Sequence, residues 1–372
     1  MKKYKLLYFV SEDQYFLSHK IDQAQSALKK GFDVLIICKF LNHEKKIRKL
    51  GFKTKNIDFR RGSLNPLIEI KNILDFFFTV VRFKPDIIQS IALKPILYSS
   101  LISILTKKTK LIMCIVGLGF LFIDKRISTR ILKFTYIFLI KRFLVKKNTS
   151  FVFQNNEDKD QIKSLGLIKN SRSFIIRGSG INTNKFKTKN IKKKYDLIFH
   201  SRILYDKGFL ELIEALRYLK TITKLNVLVI GDTDKENKSS VNVEKLKNWN
   251  KEKLIIWKGK QKNVLPFLQI SKIAILPSYR EGLPKSLLEA ASCELPIITS
   301  DVAGCKDICI NNYNGLLVPP KNSELLAMAI KKLLFNPKLA RKFGKNGRKL
   351  VEEKFSTKIV NEGFFELYKK II

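Results

Sequence analysis

Short apolar runs alternate with longer amphipathic stretches along nearly the whole chain. Most of the short runs are apolar at almost every position, as in parallel strands that are covered on both faces. Strands that alternate with helical stretches predict parallel sheets with crossover helices. The predicted strands are Lys5–Val10, Asp33–Cys38, Ile87–Ser90, Lys110–Val116, Ser150–Gln154, Ser173–Arg177, Tyr195–His200, Leu225–Gly231, Leu254–Trp257, Ile273–Pro277, Pro296–Ser300 and Gly315–Val318. The predicted helices are His19–Lys30, Pro66–Phe83, Pro95–Leu105, Gly208–Leu219, Val264–Gln269, Pro284–Ser292 and Ser323–Phe335.

One stretch interrupts this alternation. Lys185–Lys194 (KFKTKNIKKK) is basic, nearly free of large apolar residues and without clear periodicity, which is typical of an exposed connector between domains. We therefore predict one doubly wound domain at residues 1–184, a linker at 185–194 and a second doubly wound domain at 195–355. Ligands of open α/β folds bind beyond the carboxyl ends of the strands, so we expect the binding place in a cleft between the two sheets.

The charge of the chain is strongly positive. Its 372 residues include 72 Lys and Arg against 32 Asp and Glu, a formal net charge of +40, yet 45% of the residues are hydrophobic, so the excess charge does not indicate disorder. Only 14 of the basic residues are arginine, the side chain that proteins usually employ to bind phosphate groups or nucleic-acid bases. The lysine excess reflects either an AT-rich coding sequence or an anionic partner. No zinc finger, RRM signature or repeated aromatic–basic pattern indicates nucleic acid, which leaves a membrane surface as the expected partner.

The sequence also bears on where the protein works. No apolar run reaches the roughly 18 residues of a membrane-spanning helix, and the longest, Leu111–Ile123, has 13. The N-terminus leads straight into the strand-like run Tyr4–Val10 without a cleavage site, so we expect no secretory signal and a cytoplasmic or membrane-surface location. Five scattered cysteines and three histidines lack the spacing of a metal site. We expect reduced, mostly buried thiols and no metal ion.

The densest group of candidate chemistry is the segment Pro277–Glu289 (PSYREGLPKSLLE). A strand ends at Pro277 and Pro284 can open a helix, so Glu281 is predicted at the carboxyl edge of the sheet, with Glu289 about two helical turns further on. Backbone amides at the helix start can hold an anion, and the two carboxylates can accept hydrogen bonds from sugar hydroxyls. In the alternative interpretation, Glu281 caps the helix and Glu289 is a solvated charge.

A second candidate loop follows the strand Tyr195–His200. It carries Arg202 and Lys207 at the carboxyl edge of the same predicted sheet. A guanidinium and an ammonium that converge on one point can clamp a diphosphate, whereas two ordinary surface cations are the alternative. The loops at Gly231 and Gly259 follow the next two strands and can shape a nucleoside pocket at this edge.

Several motifs follow one another along the C-terminal half: Arg202…Lys207-Gly208, Trp257-Lys-Gly259, Glu281–Ala290, Pro296–Gly304 and Asn314–Pro320. With them, this half resembles the retaining glycosyltransferases of family 4, whose GT-B fold has two Rossmann-like domains facing across a cleft. The resemblance covers about Asp196–Phe335 and implies that the C-terminal helix, residues 356–372, returns to the N-terminal domain. The N-terminal half carries the motifs Val10–Asp13, Phe16–His19, Lys94-Pro95, Val116–Gly119, Phe153–Asn155 and Arg177–Gly180. It is similar to the capsular-polysaccharide type that extends lipid-linked glycans.

The resemblance implies roles for individual residues. Arg202 and Lys207 would bind the donor diphosphate, Glu281 the transferred sugar and Glu289 the ribose hydroxyls, while amides of the loop after Glu281 would bind the distal phosphate. It implies transfer of a sugar, with retention of configuration, from a nucleotide diphosphate sugar, expected to be a UDP-sugar. That donor is a co-substrate; no cofactor or metal ion is expected, because the cations and the helix start neutralise the leaving diphosphate. The expected catalytic residues are Glu281, Arg202 and Lys207. The expected donor-binding residues are Gly282, Leu283, Pro284, Glu289, Gly231 and Gly259.

The first N-terminal loop departs from the common pattern of this family. Many members have a Gly-Gly pair there and a His after the fourth strand, whereas this chain has Ser11–Gln14 and Gly117–Gly119. The capsular type shares this variant. The side chain that faces the reacting carbon is therefore unassigned; His19 is one candidate, with a helix cap or a packed residue as the alternative. The expected acceptor-loop residues are Ser11, His19, Gly117 and Gly119.

The implied acceptor is a growing glycan on a polyprenyl diphosphate, in the synthesis of a bacterial capsule, O-antigen or exopolysaccharide. Two stretches of the N-terminal half, Phe76–Phe83 and Ile131–Lys147, combine apolar and basic residues. They are either interfacial segments on an anionic membrane or core elements with a solvated edge. The first interpretation places the protein on the inner face of the cytoplasmic membrane. The cations expected to meet the membrane are Lys141, Arg142, Lys146 and Lys147.

Two other functions remain open at this point. A sugar-nucleotide epimerase of the same fold would need His and carboxylate groups around the sugar, which the motifs do not supply. A non-catalytic, basic protein that binds a membrane surface would have no reason to retain Arg202, Lys207, Glu281 and Glu289 together.

Overall fold

A computed structural model describes residues 3–59, 65–118, 122, 126–144, 148–168, 173–234, 237 and 239–372. The chain divides into two compact units, Met1–Ser179 with Thr357–Ile372, and Gly180–Ser356. A parallel sheet of seven strands forms the centre of the first unit, and one of six strands forms the centre of the second. The predicted fold class, two doubly wound α/β domains, is confirmed.

The first sheet has the strand order β3-β2-β1-β4-β5-β6-β7, and apolar clusters cover both of its faces. The sequence pattern misses β3 because its residues, KTKN, include no apolar side chain, which an exposed edge strand does not need. The strands are β1 (Lys5–Glu12), β2 (Asp33–Lys39), β3 (Lys53–Asn56), β4 (Ile87–Ile91), β5 (Lys110–Ile115), β6 (Thr149–Phe153) and β7 (Ser173–Ile175). The helices up to this point are α1 (Asp13–His19), α2 (Ile21–Lys29), α3 (Glu44–Lys49), α4 (Pro66–Phe83), α5 (Leu93–Ile102), α6 (Ile127–Phe143) and α7 (Asn156–Ser164).

The second sheet has the order β10-β9-β8-β11-β12-β13, and all its strand pairs are parallel. One large apolar cluster joins this sheet to its helices. The strands are β8 (Tyr195–His200), β9 (Val227–Ile230), β10 (Ile256–Trp257), β11 (Ser271–Leu276), β12 (Ile297–Ser300) and β13 (Gly315–Val318). The helices are α8 (Phe209–Lys220), α9 (Val243–Lys251), α10 (Leu265–Gln269), α11 (Lys285–Ser292), α12 (Cys305–Ile308), α13 (Ser323–Leu334) and α14 (Pro337–Lys354).

The last helix, α15 (Thr357–Ile371), belongs to the first unit and packs against α2. A buried hydrogen-bond network fixes it there. The hydroxyl of Tyr368 donates to the side chain of Gln89 on β4 at 2.5 Å and accepts from Gln23 on α2 at 2.8 Å, while Tyr8 on β1 lies 2.9 Å from it. Because every member of this network has a partner, its hydrogen bonds offset the cost of removing these polar groups from water. The predicted return of the C-terminal helix is confirmed.

The basic stretch 185–194, predicted as a linker, lies within the second unit. Phe186 is buried, and its carbonyl accepts hydrogen bonds from Ser292 and Arg348, both at 2.6 Å. At the other end, the backbone N–H of Lys194 donates to Ile270 at 2.7 Å. The stretch is therefore held to this unit at both ends.

Helices α4 and α6 each bury one face against the first sheet and expose an apolar stripe. Within the predicted stretch Phe76–Phe83, Phe76 and Val80, four residues apart, point into the core, while Phe78 and Val81 are exposed. The α4 stripe consists of the exposed residues Leu67, Ile70, Leu74, Phe78 and Val81. The α6 stripe consists of Ile127, Ile131, Phe134 and Phe138. Of the predicted membrane-facing cations, Lys141 and Arg142 lie exposed in the last turn of α6, and Lys146 and Lys147 lie outside the described residues.

Within the ranges given above, no helix is both long enough and apolar enough to cross a bilayer. All five cysteines are buried, as expected.

Candidate functional site

The predicted site residues of the second unit lie where the order of its sheet changes direction. Strand β8 pairs with β9 on one side and with β11, much later in the chain, on the other. The loops that leave the carboxyl ends of β8 and β11 therefore lie beside each other. Such a switch point is where open α/β sheets bind ligands. Here the first loop carries Lys207 and the second carries Glu281.

Lys207 and Glu281 form a direct ion pair across these two loops. The ammonium Nζ lies 2.5 Å from the carboxylate Oε1, and each side chain is only 13% exposed. The ammonium has three N–H donors, of which this pair uses one, and the carboxylate keeps its second oxygen as an acceptor. The pair can therefore donate to a phosphate and accept from a sugar hydroxyl at the same time.

A glycine contact and two hydrogen bonds keep the two loops in this arrangement. Gly208 adopts a left-handed conformation with φ +66, and a Cβ at this position would lie 1.9 Å from the carbonyl oxygen of Pro277. The carbonyl of Asp206 accepts from the backbone N–H of Tyr279 at 2.9 Å and from the hydroxyl of Ser278 at 3.1 Å. The Lys-Gly sequence is thus explained by packing: only glycine lets the Lys207 loop approach the end of β11 so closely.

The loop that holds Glu281 is supported in a similar way from β12. A Cβ on Gly304 would lie 2.6 Å from the carbonyl oxygen of Glu281 and 2.5 Å from that of Gly282, and its φ is +75. Leu283 packs on the apolar core, and Pro284 precedes the first residue of α11. Because Pro284 has no N–H group, the amide donors of this loop come from its other residues and from the start of α11.

Arg202 lies on the same loop as Lys207 but makes a different ion pair. Its guanidinium donates to the carboxylate of Asp234 at 2.8 Å, and its side chain is 53% exposed. Asp234 follows β9, so this pair joins the loops after β8 and β9. The structure thus brings Lys207 and Glu281 into contact, while the guanidinium of Arg202 is held by the neighbouring loop.

The predicted nucleoside loops at Gly231 and Gly259 lie at the same edge of the sheet. The backbone N–H of Gly231 donates to the carbonyl of Gly259 at 3.0 Å, and the indole of Trp257 donates to the carbonyl of Gly231 at 2.9 Å. A Cβ on Gly231 would lie 1.8 Å from the carbonyl oxygen of Ser201. These contacts place the ends of β8, β9 and β10 side by side.

Glu289 lies on α11 with its side chain only 11% exposed, and it faces His200 at the end of β8. Burial raises the pKa of Glu289 to about 7, although Lys285 and Lys185 act in the opposite direction. Burial lowers the pKa of His200 to about 4, and the positive charge of Lys285 lowers it further. The alternative of a solvated Glu289 is therefore wrong, because this carboxyl group is largely buried.

The predicted acceptor-loop residues belong to the first unit. Ser11 is buried within β1, and Gly117, with φ 125, follows β5. His19 is the last residue of α1 instead of opening a helix; its ring stacks on Tyr15 with centroids 4.5 Å apart, and its Nδ1 lies 2.7 Å from the hydroxyl of Ser18. Gly119 lies outside the described residues.

Three features of the site were missed by reasoning from the sequence. His200 closes the predicted strand Tyr195–His200, and its position two residues before Arg202 is the signal that could place it at the site. Asp234 carries no signal in the sequence, because an acidic residue after a strand is not specific to a binding site. Gly304 was recognised within a motif, but its role is visible only from its approach to the Glu281 loop.

Comparison with known proteins identifies the family. Residues 180–350 match the model for "Glycosyl transferases group 1" and residues 5–155 match that for "Glycosyl transferase 4-like". The chain is 30% identical to the N,N'-diacetylbacillosaminyl-diphospho-undecaprenol alpha-1,3-N-acetylgalactosaminyltransferase of Campylobacter jejuni, over 91% of this chain and 92% of that protein. It is 24% identical to the capsular polysaccharide biosynthesis glycosyltransferase CapM of Staphylococcus aureus, over 94% and 93% of the two chains.

Its fold is similar to that of HepE from Anabaena in complex with UDP-glucose, with a TM-score of 0.78 and 14% identity over 98% of this chain and 99% of that one. The fold match extends over both units, and the two family models together cover most of the chain. The protein therefore belongs to the group 1 family of glycosyltransferases, with the GT-B fold and a family 4-like N-terminal half.

Proposed function

We propose that this glycosyltransferase moves a sugar from a nucleotide diphosphate sugar, most simply a UDP-sugar, to a glycan on a polyprenyl diphosphate, with retention of configuration. The acceptor class is supported by the Campylobacter relative, whose name specifies a diphospho-undecaprenol acceptor. The donor class is supported by the UDP-glucose complex of HepE. The similarity to CapM supports a place in the synthesis of a capsule or a related surface polysaccharide.

The observation that carries this proposal is the Lys207–Glu281 pair, partly buried at the switch point of the second sheet. Departure of a nucleoside diphosphate leaves negative charge on the phosphate oxygens, and a preorganised ammonium stabilises that charge as it develops. Glu281 fixes the ammonium and offers its second oxygen to the sugar. Arg202 adds a second cation from the same loop once its guanidinium leaves Asp234, an exposed ion pair that is cheap to break. Retention follows if the leaving diphosphate itself accepts the acceptor proton on the same face of the sugar.

We further propose that transfer needs no divalent metal ion. Lys207, Arg202 and the backbone amides at the start of α11 supply the positive potential that a divalent ion would otherwise provide. We expect full turnover after dialysis against EDTA and no stimulation by Mg²⁺ or Mn²⁺. Metal-dependent turnover that EDTA abolishes would contradict this part of the proposal.

A membrane-bound acceptor would require the first unit to reach a bilayer surface. Helices α4 and α6 lie on the same face of the first sheet, on either side of α5, and both expose apolar stripes. Helix α6 contains four cations and no acidic residue within Ile127–Phe143. Apolar side chains with flanking cations are the composition of interfacial helices on anionic membranes. We propose that the α4 and α6 stripes place the protein on the inner face of the cytoplasmic membrane.

Replacing Phe134 and Phe138 in the α6 stripe with aspartate tests this interface. These side chains are 72% and 54% exposed, so the double variant should fold normally. We expect it to lose most of its flotation with vesicles that contain anionic lipid, while turnover of a water-soluble, short-chain acceptor is retained. Replacing Tyr218, which is 57% exposed on α8 of the second unit, with aspartate is the control and should leave flotation unchanged. Unchanged flotation of the Phe134→Asp, Phe138→Asp variant would remove the α6 stripe from the proposal.

The reaction itself is tested with a panel of UDP-, GDP- and ADP-sugars and a polyprenyl-diphosphate-linked sugar acceptor. We expect a disaccharide product on the lipid from at least one donor. The NMR coupling constant of its new anomeric proton should show the same anomeric configuration as the donor sugar. Conversion of the donor sugar without an acceptor would favour an epimerase. Absence of any reaction, together with vesicle binding, would favour a non-catalytic surface protein.

A further inference from the structure

His200 and Glu289 meet at the edge of the proposed donor site, from two different elements. His200 is the last residue of β8, two positions before Arg202, and Glu289 lies in the second turn of α11. The imidazole Nδ1 lies 3.5 Å from the carboxylate Oε2. The side chains are 24% and 11% exposed, so water has little access to the space between them.

The Nδ1 atom of His200 is buried and has no hydrogen-bond partner within the described part of the chain. A buried polar nitrogen without a partner costs free energy, and native structures rarely leave one in that state. Glu289 Oε2 is the acceptor that faces it, and the separation exceeds a hydrogen bond by about half an ångström. Hydrogen bonds of this length at binding and catalytic sites often shorten when the substrate binds.

We propose that His200 is the positioning residue for Glu289: its Nδ1–H donates to Oε2 and holds the carboxylate in the ionised, outward-facing form that accepts the ribose hydroxyls of the donor. The inference rests on the proposed function, because His200 would act on the carboxylate that binds the ribose of the proposed donor. Neutral imidazole serves this purpose if Nδ1 carries the hydrogen. The same bond would fix the loop before Arg202 to helix α11, so ribose binding and the diphosphate site would be organised together.

The charges around the pair favour this arrangement at neutral pH. Burial and Lys285 keep the pKa of His200 at about 4, so the ring is neutral. Burial raises the pKa of Glu289 to about 7, which would leave the carboxyl group partly protonated without a donor. The other groups that act on Glu289 are Lys285 on its own helix and Lys185 from the stretch before β8. The thiol of Cys293, one turn on, interacts electrostatically with Glu289 and with Arg348 of α14.

The test compares His200→Leu with His200→Asn, because asparagine keeps a side-chain N–H and leucine does not. Loss of a hydrogen bond to a charged group typically costs about a factor of ten or more in affinity. We expect His200→Leu to raise the Kd for UDP and the KM for the donor about tenfold, with kcat at saturating donor little changed. As the pH is lowered, binding of the sugar nucleotide should begin to weaken at a higher pH in His200→Leu than in the wild type. The reason is that the pKa of Glu289 rises when the carboxylate loses its hydrogen-bond donor. His200→Asn should restore most of the affinity and the pH profile.

A second readout does not depend on activity. The chain has three histidines, so the imidazole nitrogen signals of His200 can be assigned with His200→Asn as the reference. Addition of UDP should give a neutral ring with the hydrogen on Nδ1, and Glu289→Gln should change that signal.

The outcomes separate this inference from the proposed function. Failure of the wild type to bind UDP, GDP or ADP would overturn both. If the wild type binds a nucleoside diphosphate and His200→Leu binds it with the same affinity and pH profile, the inference about His200 is wrong and the proposed function stands. Equal losses in His200→Leu and His200→Asn would also overturn it, since they would indicate a purely structural role.

Discussion

Replacing Lys207 with alanine should lower kcat by at least about a hundredfold, the usual effect of removing one preorganised donor to a developing negative charge. The loss should be large because the Lys207–Glu281 pair is only 13% exposed on both sides, so water cannot substitute for the ammonium. Without Lys207 the Glu281 carboxylate, itself only 13% exposed, also loses its ion-pair partner beside the leaving diphosphate, where it repels the charge that must be stabilised. Steady-state turnover of the donor identified in the panel is the measurement.

Two controls separate this effect from a general loss of charge or fold. Lys338, an exposed residue on α14, is a matched lysine in the same unit, and Lys338→Ala should keep wild-type turnover. The double variant Lys207→Ala, Glu281→Gln should lose less than the sum of the two single effects, because the two residues act as one unit. Wild-type turnover of a folded Lys207→Ala variant would show that the ammonium has no part in catalysis.

Replacing Gly208 with alanine should destabilise the second unit by at least about 3 kcal/mol, the range of substitutions that force a clash at a special backbone conformation. The left-handed conformation, φ +66, accounts for about 1–2 kcal/mol of this. The remainder follows from the 1.9 Å approach of the new Cβ to the carbonyl oxygen of Pro277, which forces apart the loops that carry Lys207 and Glu281. Urea unfolding, monitored by tryptophan fluorescence, measures the effect, since both tryptophans, Trp249 and Trp257, lie in this unit.

Gly259 provides the matched control for this prediction. It has nearly the same φ, +64, but no atom lies within 4 Å of the position of a new Cβ. Gly259→Ala should therefore cost only the conformational strain of about 1–2 kcal/mol. Equal losses of stability in the two variants would show that the contact between Gly208 and Pro277 contributes nothing.

Much of the fold could be predicted because the apolar strands of the two doubly wound sheets are buried on both faces. Tyr195–His200 and Gly315–Val318 were predicted with their observed bounds. The edge strand β3 could not be predicted, since a strand paired on one side and open to solvent needs no apolar pattern. The predicted helix His19–Lys30 corresponds to α2 (Ile21–Lys29), whereas His19 is the last residue of the separate helix α1 (Asp13–His19), because apolar spacing does not reveal a break in the backbone hydrogen bonds.

The sequence was sufficient to predict which residues lie at the site, but not which of them form ion pairs with one another. Sequence order alone placed Arg202, Lys207 and Glu281 at one edge of the second sheet. It could not show that Glu281 forms an ion pair with Lys207 and Asp234 forms one with Arg202, because these pairings depend on how loops from three strands approach one another. For the same reason His200 was not recognised as the neighbour of Glu289.

The most direct test of the central claim is transfer of a radiolabelled sugar from a nucleotide diphosphate sugar to a polyprenyl-diphosphate-linked acceptor, with the wild type and Lys207→Ala assayed side by side. The account predicts label in the lipid fraction with the wild type and at least about a hundredfold slower transfer with the variant. Equal rates of transfer by the two proteins, or no transfer from any UDP-, GDP- or ADP-sugar, would contradict it.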